Sequence, residues 1–70
     1  MNWDVLRDEI KLNHMSISEF AEKIELSESA LRRKLKGEKE FKLSEAKRII
    51  VSLGMSKKKA KEIFFENLLS

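Results

Sequence analysis

The segment "SISEFAEKIELSESALRRKLKG", residues 16–37, limits the fold more than any other part of the chain. Ile17, Phe20, Ala21 and Ile24 fit the i, i+3, i+4, i+7 spacing that lays one apolar stripe along an α-helix. Ser16 followed by Glu19 has the S-x-x-E spacing of a capping box, which satisfies two backbone amides that a helix start leaves unbonded. A second start follows at once, because Ser27 can cap a helix carrying Leu31 and Leu35. Only Glu25 and Leu26 separate Ile24 from Ser27. So short a connection keeps the two helices from lying antiparallel. It predicts a steep crossing, with Leu26 plugging the corner and the second helix projecting from the body.

The rest of the chain reads in the same way. Trp3, Leu6 and Ile10 share one face; Leu43, Ala46, Ile50 and Leu53 form another stripe, and Ala60, Ile63 and Phe64 a fifth. Gly37 and Gly54 can end helices in the left-handed conformation, and Ser56 can cap the last one. Strand signals are poor: β-branched residues are few, and no Asn-Gly or Asp-Gly hairpin turn occurs. The expected architecture is all-α, a compact five-helix bundle with helices near 2–12, 17–24, 28–36, 43–53 and 57–67, forming a single domain over residues 1–70. Lys34 falls on the inner side of the third helix, within about 60° of Leu31 at 100° per residue, so its stem is expected over the core with the ammonium reaching water.

Charge is unevenly spread. Residues 1–28 hold seven acids and three bases, whereas residues 29–70 hold twelve bases and five acids. With Leu31 set at 0° on a helical wheel, Leu35 lies at about 40°, while Arg32, Lys36, Ser29 and Arg33 spread from about 100° to about 200°. That outward face is long-reaching, cationic and hydrogen-bonding, which suits the major groove of DNA. An arginine fork can donate two parallel hydrogen bonds to guanine O6 and N7, worth about 1–3 kcal/mol of discrimination. Ser29 can sit against a base edge or a phosphate. Glu28 can accept from cytosine N4, or orient a neighbouring arginine and contact nothing. The plainer reading is a solvated basic face that touches only phosphates.

Residues 16–56 resemble the Cro/repressor (XRE-type) helix-turn-helix family of bacteria and their phages. The resemblance rests on Phe20-Ala21, Ile24 before the turn, Leu26, Ser27, Leu31, Gly37 and the apolar helix ending "SLGMS". It covers about residues 5 to 56, and "EIFF" is similar to small phage regulators of this group. It implies a lambda repressor-like DNA-binding domain of four or five helices. Base contacts then map to Glu28, Ser29, Arg32 and Arg33. Expected phosphate contacts are Ser16 and Ser18 at the start of the second helix, with Lys36, Lys39, Lys42 and Ser44. The C-terminal helix of the family commonly builds a two-fold dimer, spacing two recognition helices about 34 Å apart. Phe65 and Leu69, left over once Ile63, Phe64 and Leu68 pack inward, are the candidates for that interface. Two residues depart from the pattern. Glu25 stands where the family usually has glycine, at a cost on the order of 1 kcal/mol if a positive φ is kept. Lys42 stands where a capping Thr or Ser is more usual.

Other classes fit poorly. Cysteine is absent and His14 is the lone histidine, so no metal site or cofactor is expected. There is no Ser/His/Asp set and no glycine-rich phosphate loop, and the chain is not read as an enzyme. No apolar run approaches the roughly 20 residues of a membrane span, and a cytoplasmic protein is expected. Lys57, Lys58 and Lys59 oppose the helix dipole in a first turn; they either solubilise an apolar terminus or meet phosphates. The expected function is a sequence-specific double-stranded DNA-binding regulator. It would be a Cro-like repressor acting as a homodimer on a palindromic operator. The alternative is a protein-binding helical module, an antitoxin or antirepressor that grips another regulator through Phe65 and Leu69.

Overall fold

The structure, a computed structural model, describes residues 3–65. Within them the chain forms α1 (Asp4–Leu12), α2 (Ile17–Lys23), α3 (Glu28–Leu35), α4 (Leu43–Leu53) and α5 (Lys57–Ala60), and α5 continues as one π-helical stretch over Lys61–Phe65. No strand occurs among the described residues, and the expected all-α, five-helix architecture is the one observed. Serine hydroxyls open three of these helices. Ser16 Oγ accepts from the Glu19 amide at 3.0 Å, Ser27 Oγ from the Ala30 amide at 3.2 Å, and Ser56 Oγ from the Lys59 amide at 3.1 Å. The capping box closes at α2, where the Ser16 amide donates to Glu19 Oε1 at 3.1 Å. No hydroxyl caps α4. Instead the Lys42 amide donates to Glu45 Oε1 at 2.8 Å.

The first four helices end in one pattern, the Schellman motif, in which two crossed backbone bonds close the last turn around a left-handed residue. In α2 the Leu26 amide donates to the Ala21 carbonyl at 2.9 Å and the Glu25 amide to the Glu22 carbonyl at 3.2 Å. The same crossed pair closes α1 at His14 and Met15, α3 at Gly37 and Glu38, and α4 at Gly54 and Met55. Two of the left-handed residues are glycines, Gly37 (φ 81°) and Gly54 (φ 60°). The other two, His14 (φ 57°) and Glu25 (φ 62°), carry a Cβ into a region that disfavours one. Arg48 supports the second of these from α4. Its Nε lies 3.3 Å from Glu25 Oε2, and Nη1 donates to the Ile24 carbonyl at 3.4 Å. Leu26, half-buried against the core, fills the corner between α2 and α3, which pack together.

One apolar cluster runs through the described residues, from Trp3 to Phe64. Phe20, Leu6, Ile10, Ile24, Leu31 and Ile49 lie at its centre, fully buried. Trp3, Phe41 and Phe64 close one end: the Trp3 and Phe41 centroids are 4.9 Å apart in an edge-to-face arrangement, and Phe64 lies 5.7 Å from Trp3. Three parts of the chain meet there: the segment before α1, the link to α4 and the last turn. In place of the expected α-helix over 57–67, the described residues form a single α turn, Lys57–Ala60, followed by a π stretch, Lys61–Phe65. The wider winding brings successive residues closer together around the axis, so that adjacent Ile63 and Phe64 are both buried. No described helix is long and apolar enough to cross a membrane.

Two expectations are corrected. The inward stripe of α4 is Glu45, Ala46, Ile49 and Leu53, while Leu43 is exposed and Ile50 only half-buried. Lys34 does not reach water: it is 6% exposed, and its ammonium meets the carboxylate of Glu45, itself 5% exposed. The corrections share one cause. Turning Glu45 inward to meet Lys34 rolls α4 about its axis and carries Leu43 and Ile50 towards its edge.

Replacing a left-handed residue by glycine should stabilise the fold, more at His14 than at Glu25. His14→Gly relieves on the order of 1 kcal/mol and raises the melting temperature by about 4–8 °C. Glu25→Gly relieves the same strain but forfeits the Arg48 pair, whose side chains are 44% and 73% exposed and which is worth about 0.2–1 kcal/mol. Thermal denaturation of both variants checks the order, and a fall in melting temperature for His14→Gly contradicts it.

Candidate nucleic-acid interface

Leu31 and Leu35 pin α3 to the core, which turns Ser29, Arg32, Arg33 and Lys36 to solvent. Arg32 Nε donates to Glu28 Oε2 at 2.9 Å, an i, i+4 pair within the same helix whose side chains are 55% and 45% exposed. Such a pair contributes about 0.3–0.5 kcal/mol and opens readily to a competing acceptor. Glu28 thus holds the Arg32 guanidinium along the helix surface. Arg33 is exposed and meets no acid among the described residues. Ser29 Oγ lies 3.4 Å from Ser27 Oγ at the tip of the helix.

The inner side of α3 is held electrostatically. Lys34 Nζ lies 2.5 Å from Glu45 Oε1 and 2.6 Å from Oε2, and 6.0 Å from the centroid of the Phe41 ring. Burial pushes the Glu45 carboxyl up. The Lys34 ammonium and the Lys42 amide more than offset this, so the group lies below its ordinary 4.5. The pair clamps the last turn of α3 to the first turn of α4. Sequence reading missed Glu45. Its signal was its place four residues before Ile49, at a helix start facing the inward Lys34.

A basic cleft of about 380 Å³ lies where α1, the start of α2 and the last turn of α3 meet. Arg7 and Lys11 line it from α1, Ser16 and Ile17 from the start of α2, and Arg32 and Lys36 from the α3 side, with no acid in the lining. Arg7 and Lys11 were also missed, because α1 otherwise carries Asp4, Asp8 and Glu9 and the first 28 residues sum to a negative charge. Their i, i+4 spacing, which aligns two cations on one helix face, was the available signal. Of the expected phosphate contacts, Ser16 and Lys36 line this cleft; Ser18, Lys39, Lys42 and Ser44 are exposed but do not. The start of α2 is less open to an anion than expected. Glu19 is held there as the carboxylate, lowered by the amide and hydroxyl of Ser16.

Leu69 and the side chain of Phe65, expected at a two-fold interface, lie outside the described residues. No group of three His, Cys, Asp or Glu able to hold a metal occurs among the described residues. Compared with family models, curated proteins and solved structures, the chain finds no match.

Breaking the buried pair should cost far more than replacing it whole. Lys34→Met strands the Glu45 charge and destabilises by about 3–5 kcal/mol, whereas Lys34→Met with Glu45→Leu recovers most of that loss. The double variant falls short of the parent by about 1 kcal/mol, the worth of the Lys42 amide's bond to Glu45. The sign with pH follows from the lowered Glu45. Its contribution is present above the ordinary carboxyl value of 4.5 and is lost as pH falls from there through the lowered folded-state value. Urea unfolding between pH 7 and 3 checks both. An equal loss in the single and double variants, or an acid limb unchanged in the double variant, contradicts the assignment.

Proposed function

We propose that this chain is a sequence-specific double-stranded DNA-binding regulator that reads the major groove with the outward face of α3. The observation that carries the reading is that face itself: Arg32 and Arg33 stand exposed there, and among the described residues neither is tied to an acid across the fold. Arg33, and Arg32 once released from Glu28, supply bidentate donors for guanine, while Ser29 lies near enough to the helix axis to meet a base edge or sugar-phosphate. The basic cleft takes the flanking strand. Arg7, Lys11 and Lys36 offer cations to phosphates beside the groove, which position the helix without reading sequence. Lys39, Lys42 and Ser44 extend this phosphate footprint along the link and the start of α4. The sequence resemblance to Cro-like repressors adds the expectation of a phage or mobile-element regulator, acting in the bacterial cytoplasm as a homodimer on a palindromic operator.

Selection of bound duplexes from a random pool, followed by titration of the winner against salt, tests the reading. Several phosphate contacts predict an affinity that falls steeply and linearly on logarithmic axes as salt rises. Arg33→Ala should weaken the selected duplex by about 1–3 kcal/mol and leave random duplex nearly unchanged. Arg7→Ala should weaken both alike and reduce the salt slope by about one. If no sequence is enriched and neither variant alters binding, the reading fails.

A further inference from the structure

The roll of α4 that buries Glu45 leaves an apolar groove against α5. Leu43, Ala46, Ile50, Met55 and Phe64 floor it, and its volume is about 740 Å³. Leu43, expected in the core, is 69% exposed. Lys47 borders the groove on the α4 side, and Lys57, Lys58 and Lys61 on the other. None of these four forms an ion pair with an acid among the described residues, and no acid lines the groove. Lys59, the third lysine of the run, is different: it reaches Glu9 of α1 at 3.4 Å and belongs to the fold.

A concave apolar floor between cationic borders narrows the choice of occupant. A two-fold copy of the same face would lay lysines against lysines, which costs free energy at an interface. A DNA backbone would use the lysines and leave the leucine and isoleucine surface wet. An amphipathic helix uses both, with apolar anchors at i, i+3, i+4 and i+7 entering the groove and flanking carboxylates meeting the borders. We propose that the α4–α5 groove docks an acidic amphipathic helix of a partner protein. The run at Lys57 and Lys58, which opposes the dipole of its own helix, is then explained by the partner's charge. This surface is separate from the outward face of α3, and the proposal stands whether or not that face binds DNA.

The test uses the full chain and two synthetic helical peptides of about 16 residues, the length at which isolated helices become marginally stable. Both carry leucine at the anchor spacing; one has glutamate on its flanks and the other lysine. The acidic peptide should bind at least about tenfold more tightly by fluorescence anisotropy, a difference of about 1.4 kcal/mol. Its NMR shifts should centre on Ile50 and Met55. Lys57→Glu with Lys58→Glu, at two exposed positions, should reverse the preference, and Ile50→Glu should remove binding. Circular dichroism and melting temperature confirm that each variant is folded, and the surface lysine variant decides the matter if Ile50→Glu is not. The proposal is overturned if both peptides bind alike or neither binds. It is equally overturned if anionic vesicles or duplex DNA, rather than the acidic peptide, produce the groove shifts. Contacts from residues 66–70 of the same chain, or from a second copy, filling the groove in the free protein would also overturn it.

Discussion

The ammonium of Lys34 and the carboxylate of Glu45 meet inside the bundle, and the placement of both neighbouring surfaces follows from that meeting. A buried ion pair is costly to desolvate and is weak evidence for stability, but it tolerates few geometries. Here it joins the last turn of α3 to the first turn of α4. With Leu31 and Leu35 packed alongside, α3 has one rotation that keeps the lysine paired, and that rotation sends Ser29, Arg33 and Lys36 outward. The same pair rolls α4, so that Ile49 enters the core while Leu43 and Ile50 border the α5 groove. The pair thus agrees with the rotation that Leu31 and Leu35 give α3, and it accounts for the inward turn of Glu45 on α4.

The turn between α2 and α3 supplies the second constraint. Its two crossed backbone bonds need a left-handed residue, and the chain places Glu25 there without a glycine's freedom. The resulting strain is small beside the packing of Ile24 and Leu26 on either side, and Arg48 reaches over from α4 to meet both the side chain and the preceding carbonyl. The helix pair is therefore held at its corner by backbone geometry, by apolar packing and by a cation from a third helix.

Much of the fold could be read from the residues because its signals are local. Ser16, Glu19 and Ser27 act within one turn, and the stripes of Leu6 with Ile10 and of Phe20 with Ile24 repeat at the helical period. What could not be read depends on partners far along the chain. Lys34 alone looks like a lysine that lays its stem over the core and reaches water, and only Glu45, eleven residues on, gives it a reason to stay inside. His14 gave no sign of a left-handed residue, since the usual marker is glycine. The α3 face was legible because arginine, serine and lysine positions follow from a wheel anchored on Leu31. The cleft beside it was not, because Arg7 and Lys11 were averaged into an acidic half of the chain, and only the fold brings them to Lys36.

The central claim is that a duplex seats on the outward face of α3. A selected duplex titrated into isotope-labelled protein, with backbone amide shifts followed by NMR, tests this most directly. The account predicts that the shifts concentrate on residues 28–36 and extend to Arg7 and Lys11, with the core amides near Ile49 still. Shifts confined to α5 and the lysines around the apolar groove, with α3 silent, would contradict it.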